Sequence, residues 1–339
     1  MLKKLSRRAL FLSAGLLFAV LLGGYALFAP LTGSTPRYLF VDHDDTADSV
    51  FHKVQQEAGI LPTLALRSLS GVSGYAERVR TGRYDMGSKA SAFGLFRRLR
   101  NGSQTAVRLT IPIVRTSDDL ADFLSKQLQP SADEFYALLT DSALLASYGK
   151  TPATALCLFL PNTYEIYWDT TPRALLQRMQ REYEQYWTAS RRAEAQSQGL
   201  TPEEAVTVAS IVEQETAYNP EKAKVAGMYL NRLRQGMPLQ ADPTVKYALG
   251  NFTLRRILHE HLKADSPYNT YLHRGLPPGP ICIPSMASLE AVLRAEQHSH
   301  IYMCAKEDFS GSHNFATTYA EHLTNAQKYS QALDRRDIR

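Results

Sequence analysis

Cysteine is scarce in this chain. Its 339 residues include only Cys157, Cys282 and Cys304, an odd number at wide spacing. Disulfide frameworks and CxxC metal sites use even or closely spaced sets of cysteines. The sequence therefore argues against both, and we expect free buried thiols, although one pair could oxidise in an exported compartment.

Metal-binding signatures are also missing. The nine histidines form no HExxH motif, and the nearest approach to a ligand pair is His259-x-His261 and His298-x-His300. Residues two apart on a helix point in different directions, so neither pair would converge on an ion there. A strand at 298–300 would weaken that objection. We expect no metal, nucleotide or other cofactor.

The sequence also lacks internal repeats and low-complexity tracts. It has no large excess of basic residues outside the N-terminus. The formal net charge is +5, and the basic residues of the N-terminal head contribute +4 of it: Lys3, Lys4, Arg7 and Arg8. The rest of the chain is left with +1, which gives little attraction for a phosphate backbone. The sequence therefore argues against nucleic acid as a partner.

One long apolar run stands near the start of the chain. Residues 9–29 carry no charge and follow the basic head, residues 1–8. The run matches the roughly 20 residues that cross a hydrocarbon core and exceeds the 7 to 15 of a signal-peptide core. We interpret it as a single-pass anchor in the inner (cytoplasmic) membrane, with the head in the cytoplasm and the rest in the periplasm. Cleavage near Ala26 or Ala29 is the alternative.

The remaining pattern predicts an α+β protein built from three parts. Residues 36–112 alternate helix, strand, helix and strand, which indicates a small α+β module. Residues 113–150 predict two connecting helices, each opened by Ser or Thr with acidic residues in the first turn. Residues 151–335 predict a C-terminal α+β domain.

The C-terminal domain has its own series of predicted elements. A buried strand is expected in TALCLFLPNTYEIYW at 154–168, followed by a long polar helix from about Pro172 to Gly199. Thr201, Pro202 and Glu204 then form a capping box that opens a further helix. A second helix starts with Asn219 as its cap and ends at Gly236. A charged helix follows residue 250, and a hairpin with a last helix closes the chain.

Two carboxylates stand at the end of the capped helix, in the stretch ASIVEQET. Glu213 and Glu215 are two residues apart, so they point about 200° away from each other and cannot act as a pair. The helical neighbours of Glu213 are all small, so a ligand could approach it and partial desolvation would raise its pKa, as a general acid requires. The alternative is a structural ion pair with Lys222 or Arg232.

Five motifs in this order resemble the endolytic murein transglycosylases of the MltG/YceG-like family. They are ASIVEQET, VAGMYLNRLRQGMPLQADPTVKYALG, SPYNTY, GLPPGPI and GSHNFATTYAEH, which together span most of Thr201 to Tyr329. Upstream, LPNTYEIY and RTGRYDM are similar to the family's entry strand and its LysM-like membrane-proximal module. The resemblance implies that residues 36–112 are LysM-like and residues 151–335 are the catalytic domain.

The resemblance also implies a reaction and a catalytic residue. The family cuts the β-1,4 bond between N-acetylmuramic acid and N-acetylglucosamine inside a nascent glycan strand, without water, which leaves a 1,6-anhydro end and limits strand length. The glutamate of the SIVE motif, here Glu213, is then the catalytic acid. Glu215, Ser210 and His313 are expected to support it.

The sugar is expected to contact polar and aromatic residues of the matched loops. These are Gln240, Asp242, Thr244, Tyr247, Asn269, Thr270 and Tyr271. Amides and hydroxyls suit N-acetyl and hydroxyl groups, and aromatic faces suit sugar rings. For each of them the alternative is a loop anchor, because Asp242 is also a natural helix cap and Asn269 a natural turn residue.

The expected partners are peptidoglycan strands, the inner membrane through residues 9–29, and peptidoglycan synthases. A rival interpretation is a non-catalytic peptidoglycan-binding scaffold that recruits cell-wall synthases at the membrane. The intact SIVEQET stretch and its surrounding loops speak against the scaffold.

Overall fold

The computed structural model describes residues 7–31, 37–87, 90–254 and 256–336. The chain forms two compact units. The first contains residues 1–109, 127–130 and 164–170, and the second contains the remaining residues from 110 to 339. Both mix helices with short strands, so the predicted α+β class is confirmed, with helix as the main component.

Unit 1 opens with a long apolar helix and continues as a small α+β module. Its elements are α1 (Arg7–Phe28), β1 (Tyr38–Val41), α2 (Ala47–Ala58), α3 (Ile60–Ser73), β2 (Gly82–Asp85), α4 (Ala92–Asn101) and β3 (Val107–Thr110). Strands β1 and β2 are antiparallel, with Tyr38 opposite Asp85 and Val41 opposite Gly82. The core lies between this ribbon and helices α2, α3 and α4.

The predicted series of helix, strand, helix and strand is confirmed in unit 1, with two additions. Strand β1 and helix α3 were not predicted. Gly59 separates α3 from α2 because it adopts φ 84°, in the left-handed region that favours glycine. The chain therefore forms two helices here, although the apolar pattern continues across Gly59. LysM-like character and the domain boundaries stay predictions.

Helix α1 matches the expected anchor in length and composition. Its segment Leu10–Phe28 is long and apolar enough to cross a membrane, and most of its side chains are exposed to their surroundings. Lys3 and Lys4 of the basic head lie outside the described residues.

Unit 2 is built mainly of helices. They are α5 (Ser117–Gln127), α6 (Ala132–Thr140), α7 (Ser142–Ala146), α8 (Pro172–Tyr186), α9 (Ala189–Ser197), α10 (Pro202–Glu215), α11 (Lys222–Arg234), α12 (Asp242–Ala248), α13 (Met286–Leu293) and α14 (Tyr319–Arg335). Strand β4 (Thr163–Ile166), of which residues 164–166 belong to unit 1, pairs with β3 of that unit, and in unit 2 β5 (Tyr302–Ala305) pairs with β6 (His313–Ala316). The expected C-terminal hairpin and last helix are therefore confirmed.

Helix α10 is the centre of unit 2. The predicted capping box is present, since the Thr201 hydroxyl accepts from the Glu204 backbone N–H and the Glu204 carboxylate accepts from the Thr201 backbone N–H. All residues from 205 to 212 are buried, because α11 and α13 cover the helix on different sides. A helix that is buried all round belongs in a core, and only the first and last turns of α10 reach the surface.

Three predicted elements of unit 2 are wrong in detail. The long helix from Pro172 to Gly199 is broken, because Trp187 turns into the core and Thr188 caps a new helix, α9. The first half of 154–168 is a 3-10 helix (Pro152–Leu158), and only β4 is a strand. In the described part of 251–265, the predicted charged helix is reduced to a single 3-10 turn, His261–Lys263.

Candidate active site

The last turn of α10 carries the two glutamates on different sides. Glu213 faces α13, and Glu215, which ends the helix, faces α11 and the loop before α12. The predicted divergence of their side chains is therefore confirmed. Each carboxyl has its own surroundings, and the two can be compared directly.

Glu213 is held in a closed network of donors. Its Oε2 accepts hydrogen bonds from the Lys222 ammonium at 3.1 Å and the Ser285 backbone N–H at 3.1 Å. The hydroxyls of Ser285 and Ser288 donate to the same oxygen. The side chains of Lys222 and Glu213 are only 4% and 12% exposed, so this is a buried ion pair.

The network favours the ionised form of the Glu213 carboxyl. Burial alone would raise its pKa, but the hydrogen bonds from Ser285, Ser288 and Lys222 outweigh burial and lower its pKa below 4.5. The expectation of a raised pKa is therefore wrong. The structure contains the alternative, a structural ion pair with Lys222.

Two of the small residues beside Glu213 are used for packing inside the core. Ala209 and Ser210 are fully buried. The Ser210 hydroxyl donates to the Thr207 carbonyl at 2.7 Å and accepts from the Ile281 backbone N–H at 3.0 Å. Ser210 therefore ties the GLPPGPI loop to α10 and supports the fold of the site from inside the core.

Glu215 lines a polar cleft of unit 2 with a volume of about 340 Å³. The Tyr229 hydroxyl donates a 2.5 Å hydrogen bond to its Oε1. The other lining residues are Met228, Arg232, Gln240, Asp242, Tyr271, Tyr302, Met303, Cys304, Ala305, His313, Tyr319 and His322. The volume lies in the range of small-ligand pockets.

The surroundings of Glu215 favour its protonated form. Burial is the largest cause and the negative charge of Asp242 adds to it; together they outweigh the Tyr229 hydrogen bond and the positive charge of His313, so the pKa of Glu215 is raised above 4.5. Glu215 also ends α10, where the helix dipole disfavours a carboxylate. It is thus the carboxyl that can hold a proton at a higher pH than free glutamate.

Three of the seven predicted sugar contacts line this cleft: Gln240, Asp242 and Tyr271. The Tyr271 hydroxyl donates to Asp242 Oδ1 at 2.6 Å, and Arg232 donates to Gln240 Oε1 at 2.7 Å. Gln240 adopts φ 51°, which is uncommon for a residue other than glycine. Such backbone strain gathers at functional sites, where surrounding contacts hold it.

Three other predicted sugar contacts are loop anchors. Thr244, Asn269 and Thr270 have no exposed surface. The Thr244 and Thr270 hydroxyls are 2.8 Å apart, and Thr270 accepts from the Ala241 backbone N–H at 3.0 Å. The Asn269 amide donates to two loop carbonyls, at positions 262 and 264. Their prediction as ligand contacts is corrected, because their polar groups are already paired inside the protein.

Tyr247 lies outside the cleft. Its ring packs against Tyr268 with centroids 4.6 Å apart, and it borders a separate cavity of only about 60 Å³ together with Arg115 and Phe252. That cavity is too small for a sugar ring, so the predicted role of Tyr247 is corrected to packing.

His313 reaches the cleft from β6 and is fixed by Glu221. Its Nδ1 lies 2.8 Å from Glu221 Oε2, and its backbone N–H donates to Glu221 Oε1 at 2.9 Å. The expectation that His313 supports the site therefore has a geometric basis. His322 also lines the cleft and stacks on Tyr302, with ring centroids 5.3 Å apart.

Several lining residues were missed as contacts by sequence reasoning: Tyr229, Arg232, Tyr302 and Tyr319. Tyr229 and Arg232 are three residues apart and share one face of α11, so their spacing within the matched motif was an available signal. Tyr302 and Tyr319 come from β5 and α14, and only the tertiary fold brings them to Glu215.

No group of three or more His, Cys, Asp or Glu that could hold a metal occurs among the residues the structure describes. His298 and His300 do lie close, with ring centroids 4.6 Å apart, although β5 begins only at Tyr302. The three cysteines are free, and Cys157 and Cys282 are buried.

Comparison with known proteins gives the family. The profile of the YceG-like family matches residues 39–328. This chain belongs to the YceG-like family. The match begins after α1 and includes both units.

Curated relatives bear the name endolytic murein transglycosylase. The chain is 42% identical to the Bacillus subtilis protein over 124 residues, which are 37% of this chain and 34% of that protein. It is 27% identical to the Streptococcus pneumoniae protein over 282 residues, 74% of this chain and 51% of that protein. The chain thus spans between a third and about half of the length of these relatives.

A solved structure supports the fold. The crystal structure of a YceG-like protein from Listeria monocytogenes matches with a TM-score of 0.57 at 24% sequence identity. The match covers 86% of this chain and 99% of that one. At this identity it speaks for the architecture alone.

Proposed function

We propose that this chain is an endolytic murein transglycosylase whose catalytic acid and base is Glu215, with peptidoglycan strands as its substrate. The observation that carries the proposal is the Glu215 carboxyl, which lines a polar and aromatic cleft with a raised pKa. Family membership supplies the reaction class, and the geometry selects between the two glutamates. Glu213 is reassigned as a structural residue because Lys222, Ser285 and Ser288 occupy its Oε2.

In the first step, protonated Glu215 gives its proton to the oxygen that links N-acetylmuramic acid to the next sugar. The bond between that oxygen and C1 breaks, and positive charge develops at C1. The Tyr229 hydroxyl, bound to Oε1, leaves Oε2 to carry the proton. A positioned acid of this kind accelerates a reaction by roughly 10²- to 10⁴-fold.

In the second step, the Glu215 carboxylate accepts the proton of the C6 hydroxyl of the same muramic acid while that oxygen bonds to C1. The product is a 1,6-anhydro end, no water is consumed, and Glu215 regains its proton. Because the nucleophile belongs to the bound sugar, its effective concentration can far exceed that of water. The main task of the cleft is then to hold the sugar ring in the reactive conformation, and activation of the nucleophile matters less.

The other lining residues suit a sugar strand. Arg232, Gln240 and Tyr271 offer donors and acceptors to hydroxyl and N-acetyl groups, and Tyr302 and Tyr319 offer aromatic faces. The Asp242 carboxylate is placed to stabilise positive charge at C1. His313, fixed by Glu221, lines the cleft beside Glu215.

A second reaction is favoured by one observation: Asp242 and Glu215 are two carboxyls that line the same cleft. Most glycoside hydrolases use two carboxyl groups, and in many of them one carboxylate activates a water molecule. The products would then carry reducing ends in place of anhydro ends. The products of this alternative are heavier than those of a transglycosylase by the mass of one water molecule.

The cellular setting is part of the proposal. α1 would anchor the chain in the inner membrane as a single-pass helix, with the basic head in the cytoplasm and the part of the chain that follows α1 in the periplasm. The enzyme would then cut nascent strands close to the membrane and limit their length. Peptidoglycan synthases are the proposed partners in that setting.

Mass spectrometry of products from uncross-linked glycan strands tests the reaction. The full chain in detergent should release fragments one water lighter than reducing-end sugars, with internal cuts, and Glu215→Gln should release none. Reducing ends that vanish in Asp242→Asn would establish the hydrolase instead. Strand binding without any product from the folded wild type would support the scaffold and overturn the proposal.

A further inference from the structure

Helix α3 has one face that is largely exposed among the described residues of unit 1. Thr63, Leu66 and Ser70 turn into the core and are buried. Ile60, Leu64 and Val72 are spaced by multiples of four and form a stripe on another side, with 58%, 52% and 86% of their surface exposed. A row of large apolar side chains at this exposure is unusual for a helix facing water.

The exposed stripe carries no charge. The segment Ile60–Ser73 contains no acidic residue, and its only basic residue is Arg67. Arg67 is held toward α2, where it bonds Asp48 at 2.9 Å and lies over the Phe51 ring at 5.2 Å. Without charges on the stripe, an apolar surface is a better match for it than a charged partner.

The same helix packs along α1. A groove of about 430 Å³ separates the two helices, and its walls are apolar except for one serine. They are formed by Ala19, Leu22, Gly23, Ala26 and Leu27 of α1 and by Leu61, Leu64, Ala65, Ser68 and Leu69 of α3. The exposed stripe of α3 thus continues the exposed apolar surface of α1.

α1 is also fixed to unit 1 at its end. The Leu31 backbone N–H donates to the Ala90 carbonyl at 2.8 Å, and the rings of Phe28 and Phe93 lie 5.6 Å apart. Leu31 itself is buried. Because α1 is bonded and packed at its end, the position of α3 relative to α1 is set by the fold.

The position of the groove along α1 places α3 at membrane depth. Ala19 lies nine residues before Phe28, or about 14 Å along the helix axis at 1.5 Å per residue. A hydrocarbon core is about 30 Å thick. If Leu10–Phe28 crosses it, the part of α1 that borders α3 lies in the half of the bilayer where α1 ends.

We propose that α3 is a membrane-contact helix, with Ile60, Leu61, Leu64 and Val72 against the acyl chains of the leaflet in which α1 ends. The inference rests on the proposed membrane anchor and adds a second contact to it. Amphipathic helices with an apolar face commonly bury that face a few ångströms into such a boundary. Unit 1 then contacts the bilayer through α3 as well as through α1.

Depth-dependent fluorescence quenching tests the contact. The full chain, carrying Cys304→Ser to remove the partly exposed thiol, is placed in phosphatidylethanolamine and phosphatidylglycerol vesicles. An environment-sensitive dye is attached at Leu64→Cys, and at Ile60→Cys as a second site on the stripe. Two control variants carry the same dye, Val20→Cys on α1 and Gln56→Cys on the exposed side of α2.

The inference predicts that doxyl-labelled lipids quench the dye at positions 60, 64 and 20 and leave the dye at position 56 bright. Quenching at position 20 with bright dye at 60 and 64 would overturn the membrane contact, whatever the chain does to glycan strands. Bright dye at all four positions would overturn both the contact and the anchor. Glycan cleavage is measured separately on the wild-type chain in the same vesicles, because Cys304 lines the proposed cleft, so failure of the enzymatic proposal is visible on its own.

Discussion

Glu213 and Glu215 lie on the same turn of α10, yet their surroundings differ in every respect that governs a carboxyl. Glu213 has four donors on one oxygen, one of which is the buried Lys222 ammonium, and these donors lower its pKa. Glu215 has one tyrosine hydroxyl, a nearby carboxylate and an open cleft, and its pKa is raised. A residue suited to stabilise a fold and a residue suited to donate a proton can thus be two positions apart.

The largest expected effect comes from the Glu215 carboxyl. Glu215→Gln removes the proton donor without changing the size of the side chain, so the rate of glycan cleavage should fall by roughly 10²- to 10⁴-fold. Glu213→Gln, measured at a temperature where it stays folded, serves as the matched control and should retain most of the wild-type rate. A folded but inactive Glu213 variant together with an active Glu215 variant would contradict the assignment of Glu215 as the proton donor.

Removing the Glu213 carboxylate should instead destabilise the fold. Glu213→Gln leaves the Lys222 ammonium buried without its counter-charge, which costs about 3 kcal/mol of unfolding free energy. Urea denaturation at pH 7 measures this. Because the pKa of Glu213 is lowered in the folded state, its stabilisation is present above the unfolded value of 4.5 and is lost as pH falls through the folded value.

A control for this prediction is the double variant Glu213→Gln with Lys222→Met. Taking away both charges should recover part of the lost stability, because no uncompensated charge then remains in the core. An equal loss in the single and the double variant would contradict the ion-pair account and assign the effect to the serine hydrogen bonds.

The pH dependence of kcat/KM should respond in opposite directions to two substitutions beside Glu215. Tyr229→Phe removes a hydrogen bond that lowers the pKa of Glu215, and Asp242→Asn removes a charge that raises it. Protonated Glu215 is the active form, so activity falls as pH rises through its pKa. The basic limb should move to higher pH in Tyr229→Phe and to lower pH in Asp242→Asn. Shifts in the same direction would contradict the role of Glu215.

The smallest expected effect is a gain in stability. A raised pKa means that the fold opposes ionisation of Glu215, so the wild type loses stability as pH rises from 4.5 through the folded pKa. Glu215→Gln carries no such penalty and should be more stable than the wild type by about 1 kcal/mol at pH 7, as active-site replacements often are. The difference should vanish near pH 4, and a destabilised variant at pH 7 would argue against the raised pKa.

The sequence was a good guide to α10 and a poor guide to its surroundings. Thr201, Pro202 and Glu204 define the start of the helix by local chemistry, and helical geometry alone separates the two glutamates. Which side meets the cleft depends on Ser285 and Tyr229, which are 72 and 14 residues away from the glutamates they bind. Local spacing carries no information about such partners.

The loop residues show the same limit. Asn269 and Thr270 have the polar groups that a sugar site needs, but a loop that has to satisfy its own buried backbone needs the same groups. Only burial distinguishes the two uses, and burial is a property of the whole fold. Helix α3 was missed because Gly59 divides an apolar pattern that continues on both sides of it.

Titration of the glutamate side-chain carboxyls by ¹³C NMR tests the central comparison most directly, with Glu213→Gln and Glu215→Gln used to assign the two signals. The account predicts that the Glu215 signal titrates above 4.5 and the Glu213 signal below it. Titration of Glu213 above 4.5 and Glu215 below it would contradict the account and return Glu213 to the role of proton donor.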